Sequence, residues 1–358
     1  MTGSARPAGG WRRAGGWVFV GAAFLFLGAV MVRDLQALRA HDWTIHPGLL
    51  ALSFVLQIAG LAWGARVWQL LLRRMGHAVG FLELARVRLV SGLGRYIPGK
   101  IWAFIGAAHL GSRAGLPPAA TVTSLLLHTG FNLVGGLLVG AVLLPEDALP
   151  PAVRQALFWA APFALLLVHP RVLETAFRVL RALSREAAGT WTGGWLENVG
   201  LVALTMVGWL LSGLALYAFV LSLTPLPADS LLPVLGINAG AFVVGTLVFV
   251  APAGLGAKEG AAAALFALYV PAGVAAVLAV ATRLWTVLSE LIAAAVLMRL
   301  GPGAGLRGAP PAAEAPPAGD RSGVPPAPAA YLGHASANHS GRPAGPTRGW
   351  PCPLPAPR

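Results

Sequence analysis

Apolar runs near 20 residues recur along this chain, at about 17–32, 48–72, 116–144, 156–168, 199–223 and 272–297. A helix of about 20 apolar residues crosses the hydrocarbon core of a bilayer. Backbone in lipid must satisfy its own hydrogen bonds, which leaves only helices and closed barrels as spanning structures. The runs therefore specify an all-α polytopic membrane protein with about six full spans. Composition agrees: 11% of residues are charged, against about 25% in a soluble domain. The net charge of +13 then belongs to cytoplasmic loops beside anionic lipid rather than to a nucleic-acid surface. The single cysteine, Cys352, forms no internal disulfide, and no Cys/His cluster has metal-ligand spacing.

Two stretches break the pattern. GLGRYIPGK at 92–100 and APAGLGAKEG at 251–260 set Gly, Pro and paired charges into apolar surroundings. Such breaks are costly in lipid unless the freed backbone and the charges face protein, water or a ligand. The first lies in Phe81–Leu110, the second in Leu231–Val270. The spacing predicts two broken or re-entrant helical hairpins that enter from opposite faces as an inverted repeat, the sequence pointer to a transporter-type site. Gly92, Gly94, Pro98, Gly99, Pro252, Gly254 and Gly256 are the expected hinges.

The rest of the chain orders itself around these breaks. Residues 1–16 are basic and expected in the cytoplasm, 17–300 form the transmembrane domain, and 301–358 read as a disordered Pro/Gly/Ala-rich tail. The first apolar run lacks a cleavage pattern and is expected to be retained. Arg73, Arg74, Arg113 and Arg299 place helix ends on the cytoplasmic side, so both termini are expected there. Residues 169–198 suggest an amphipathic helix on anionic lipid, with Trp191 and Trp195 as interfacial anchors.

Several residues beside the breaks bear on chemistry. Arg95, Lys100 and Lys258 suit an anionic headgroup, Arg through forked hydrogen bonds and Lys as a point charge. The plainer reading is cations meeting anionic lipid at the surface. Lys258 and Glu259 diverge by about 100° on a helix, so each needs another partner. Arg283 and Glu290, seven apart on one face, are the candidates: Glu259–Arg283 first, Lys258–Glu290 second. These are gating or intramembrane ion pairs, or simply pairs that lock helices together. His128 and Asn132, four apart within a span, are polar intramembrane residues suited to headgroup contact or to interhelical hydrogen bonding.

RYIPGKIW at 95–102, GLGAKEG at 254–260 and RLWTVLSEL at 283–291 resemble the lysylphosphatidylglycerol synthase transmembrane region, also called flippase-like. The resemblance covers about residues 15–300. It maps motif positions onto Tyr96, Pro98, Gly99, Lys100, Gly254, Gly256, Glu259, Arg283 and Glu290. Lys258 stands where Arg is usual, and His128 where many relatives carry an acid. The bifunctional synthases of this family add a soluble aminoacyl-transfer domain. Residues 301–358 do not resemble one, so lipid aminoacylation by this chain is not expected.

The expectation is a bacterial inner-membrane protein that binds, and in a further step translocates, an anionic phosphate-bearing lipid. No cofactor, metal, nucleic acid or catalytic residue is expected, since no P-loop, dinucleotide fingerprint or nucleophile elbow is present. Two rivals stand beside it. One is a membrane-embedded lipid-linked glycosyltransferase using Asp34, Asp42, Glu146 or Asp147. The other is a non-transporting partner of a lipid or cell-envelope enzyme.

Overall fold

Proline and arginine punctuate the helices. Pro47, Pro118 and Pro151 sit in the first turn of long helices, where the missing N–H would have had no intrahelical partner. Arg73, Arg74, Arg113 and Arg299 occupy last turns, where a cation meets the negative end of the helix dipole. The computed structural model describes residue 25 and residues 28–96, 101–183, 190–247 and 256–300, and among them there is no strand.

After helical residues 28–33 come α1 (Leu35–Ala40), α2 (Pro47–Arg74), α3 (Phe81–Gly92), α4 (Trp102–Arg113), α5 (Pro118–Leu143) and α6 (Pro151–Ala164). They are followed by α7 (Pro170–Leu183), α8 (Trp195–Leu221), α9 (Leu231–Leu247), α10 (Ala257–Phe266) and α11 (Ala272–Arg299). Among the described residues six helical stretches are long and apolar enough to cross a membrane. Five coincide with runs read from the sequence. The sixth, Ala228–Leu247, lies in the region expected to be a re-entrant hairpin, while the expected first span at 17–32 falls mainly outside the described residues.

The two regions expected to form hairpins each hold two helices. α3 and α4 have 12 residues each, about 18 Å, too short for a ~30 Å hydrocarbon core. α9 has 17 residues and α10 has 10, so α9 alone reaches about 26 Å. The breaks themselves, 97–100 and 248–255, lie outside the described residues. α3 and α10 both pack against α11, and α2 and α8 form the most extensive helix pair.

One buried cluster joins α8, α9, α10 and α11 around Phe219, Phe266, Leu278 and Trp285, with Phe219 stacked on Trp285 at 4.9 Å. A second joins α5, α7 and α8. There Trp191 is buried against Phe131 and Phe177 rather than standing as an interfacial anchor. Leu173 and Phe177 turn the apolar face of α7 onto the bundle, and Trp191 closes that contact. Arg171 and Arg178 remain exposed.

Candidate functional site: a cationic cavity between the broken helices

The cavity lies where α2, α3, α4, α5, α8, α9, α10 and α11 converge and has a volume of about 510 Å³, within the range of small-ligand sites. Its described lining carries three cations, Arg88, Arg95 and Lys258, against one carboxylate, Glu290. Trp209 and Phe242, with ring centroids 4.6 Å apart, form part of its apolar wall.

Arg88 and Arg95 come from one strip of the first hairpin. They are seven residues apart, two turns of helix, and the chain tightens into a 3₁₀ turn over Leu93–Tyr96. That turn delivers Arg95 to Glu290, with which it forms an ion pair. The Tyr96 hydroxyl donates to the other oxygen of Glu290 at 2.8 Å. The Tyr96 ring also lies 5.4 Å from the Arg95 guanidinium and 5.1 Å from that of Arg283, within cation–π range.

Arg88 points the other way, towards α5. Its Nη1 lies 3.1 Å from His128 Nδ1. The Asn132 amide donates to the His128 carbonyl at 2.8 Å and lies 3.1 Å from Nε2. Trp209 Nε1 donates to the Asn132 carbonyl at 3.0 Å. His128 is buried, so the His128–Asn132 pair holds Arg88 on the cavity wall.

The second hairpin contributes from α10. Gly256 begins the helix at φ 86°, a conformation L side chains rarely adopt. Its N–H donates to Glu259 Oε2 at 2.6 Å, so Glu259 caps its own helix. The other oxygen, Oε1, lies 3.5 Å from Arg283 Nε. This is an ion pair without hydrogen-bond geometry, since Glu259 Oε1 and Arg283 Nη2 are both buried without a hydrogen-bond partner. Lys258 enters the cavity lining and, among the described residues, makes no salt bridge or hydrogen bond.

The structure thus joins Glu259 to Arg283, the first of the two pairings expected. It does not join Lys258 to Glu290, because Glu290 is already taken by Arg95 and Tyr96. Lys100, Pro98, Gly99, Pro252 and Gly254 lie outside the described residues, and with them the expected approach of Lys100 to Glu259. Of the other expected hinges, a Cβ on Gly94 would stand 2.8 Å from Ala103 N, whereas one on Gly92 would meet nothing within 4 Å. Sequence reasoning missed Arg88 and the hydroxyl role of Tyr96. The seven-residue spacing that singled out Arg283 and Glu290 applies equally to Arg88 and Arg95 and would have found the former.

Two of the acids that an enzymatic reading would use have described partners. Asp34 Oδ2 accepts from Gly273 N at 2.8 Å, capping the start of α11. Glu146, 80% exposed, pairs with Arg154 at 2.7 Å. Among the described residues no group of three or more His, Cys, Asp or Glu side chains is arranged to hold a metal ion.

Residues 14–294 match the family model described as Lysylphosphatidylglycerol synthase TM region. A comparison with curated proteins finds no match.

Proposed function

We propose, from the premise that this chain belongs to the lysylphosphatidylglycerol synthase TM region family, that its central cavity binds the headgroup of an anionic, phosphate-bearing lipid. The protein is an integral, multi-pass membrane protein. The observation that carries the finer reading is the charge imbalance of the cavity: Arg88, Arg95 and Lys258 against Glu290 alone. Cations among membrane-spanning helices are expensive unless paired, and here two of the three have no carboxylate within ion-pair distance among the described residues. An anion from the bilayer supplies the missing charge.

In this reading Arg95 and Lys258 contact the headgroup and Arg88 joins them; Lys100 is the further cation expected from the sequence. Glu259, Arg283 and Glu290 hold the hairpins on α11. Transfer between leaflets is the second part of the proposal: two hairpins entering from opposite faces, as the sequence leads one to expect, would open the cavity to each side in turn. A bacterial inner membrane with both termini in the cytoplasm fits the Arg-loaded helix ends. The proposed role is binding and transport; Asp34, which the enzymatic rival would use, caps a helix instead.

The test is reconstitution of the full chain in liposomes carrying fluorescent phosphatidylglycerol, with leaflet exchange read by quenching. The expected result is exchange above empty vesicles, lost in Lys258→Ala. Exchange equal to empty vesicles rejects translocation. Native mass spectrometry of the purified protein addresses binding separately, and absence of any retained anionic lipid rejects the headgroup site.

A further inference from the structure

Resting on the headgroup reading above, we infer that the cavity selects a doubly charged phosphate, a phosphomonoester or diphosphate lipid, over a singly charged phosphodiester. The charge count follows from which cations are already neutralised. Arg95 is paired with Glu290, which also accepts from Tyr96. The neighbouring Arg283 is balanced by Glu259. Arg88 and Lys258 remain, both lining the cavity. Among the described residues Arg88 has only the His128 ring nitrogen as its side-chain hydrogen-bond partner, and a nitrogen acceptor brings no negative charge. Lys258 makes no hydrogen bond or salt bridge among the described residues.

Among the described residues, two cations without a salt bridge call for two negative charges. A phosphodiester carries one, so it would leave either Arg88 or Lys258 unpaired beside a bound lipid, the costly arrangement for a charge away from bulk water. A phosphomonoester carries about −1.5 to −2 near neutral pH, and a diphosphate at least as much, so either matches the charge of both cations. Two glycines make room for these cations themselves. Gly64 presents no side chain where the Arg88 guanidinium lies, and a Cβ there would stand 3.2 Å from Nη2. At Gly245 a Cβ would stand 2.9 Å from Lys258 Cβ. Arg88 offers a planar fork and Lys258 a point charge, a complementary pair for two oxygens on one phosphate or on adjacent ones.

The experiment titrates the full-length protein in detergent with equal amounts of dioleoyl phosphatidic acid and dioleoyl phosphatidylglycerol. These probes share acyl chains and differ in phosphate charge. Retention is read by native mass spectrometry at pH 8, above the second ionisation of a phosphomonoester near 6. The expected result is phosphatidic acid retained about tenfold over phosphatidylglycerol, the low end of what one charge-assisted hydrogen bond contributes. The ratio should fall towards one in Arg88→Gln and in Lys258→Gln, and stay unchanged in Arg154→Gln, whose exposed cation is already paired with Glu146.

Equal retention of both lipids by the wild-type protein overturns the charge preference and leaves the headgroup reading standing. Retention of neither overturns both. A preference that survives both substitutions overturns the assignment to Arg88 and Lys258. Inorganic pyrophosphate, added alone, separates the sources: if it binds as tightly as phosphatidic acid, the ligand is a free diphosphate and the lipid claim fails. The competition in wild-type protein decides the preference even where a variant does not fold.

Discussion

The two regions where Gly and charge interrupt the apolar pattern carry the same Gly-Leu-Gly step, at 92–94 and 254–256, yet its surroundings differ in each. In the first hairpin it ends a helix. Leu93 and Gly94 start the 3₁₀ turn, and Gly94 is required because α4 passes so close that a Cβ would meet Trp102 and Ala103 backbone. In the second it precedes a helix. Gly256 is required by its φ of 86°, which lets its N–H reach Glu259. The charges differ in the same way. Arg95 and Tyr96 reach across to Glu290 on α11, whereas Glu259 serves its own helix first and Arg283 only loosely. A sequence repeat here marks two breaks, not two copies of one site.

The largest expected effect tests the unequal anchoring. Glu290→Ala removes the one acceptor shared by Arg95 and Tyr96. Breaking a buried pair costs about 3–5 kcal/mol, and the figure here falls to roughly 2–3 kcal/mol because the Arg95 side chain is 45% exposed. Glu259→Ala removes a helix cap and a loose ion pair, for about 1–2 kcal/mol. Thermal unfolding of the full chain in detergent should therefore drop further for Glu290→Ala. Equal drops would mean that the two carboxylates anchor their hairpins alike.

Next in size are the glycines. Gly94→Ala forces a methyl against backbone that cannot swing aside, costing about 1–3 kcal/mol. Gly256→Ala puts a side chain in a region populated almost only by glycine, about 1–3 kcal/mol for a different reason. Gly92→Ala should be nearly silent, within about 0.5 kcal/mol, since its surroundings are open. The same unfolding measurement ranks the three. A Gly92→Ala drop matching that of Gly94→Ala would show that the first break needs flexibility throughout rather than space at one point.

Much of this was legible in the sequence, for reasons that differ by residue. Spans such as Pro118–Leu143 are legible because apolar length is itself the physical requirement of a bilayer. The Glu259–Arg283 pairing was legible because a buried acid needs a cation and helical spacing left few choices. Arg95–Glu290 was not, because it depends on a 3₁₀ turn that rotates Arg95 away from where a continuing α-helix would point it. The unequal hairpins were not legible either. Gly-Leu-Gly looks the same whether a helix ends or begins there, and only the neighbouring backbone decides which glycine is indispensable.

The smallest expected effect concerns the residue that touches both hairpins' ion pairs. Tyr96 gives its hydroxyl to Glu290, and its ring lies near Arg283, the partner of Glu259. Tyr96→Phe loses one hydrogen bond to a charged acceptor but leaves Arg95 on Glu290, so the cost should be about 1 kcal/mol. The ring contact with Arg283 survives in phenylalanine. Tyr96→Leu removes both. If the ring links the two anchors, Glu259→Gln and Glu290→Gln should be non-additive by about 0.5 kcal/mol or more in the Phe background and additive in the Leu background. Additivity in both backgrounds would show two hairpins fastened independently to α11, with Tyr96 serving the first alone.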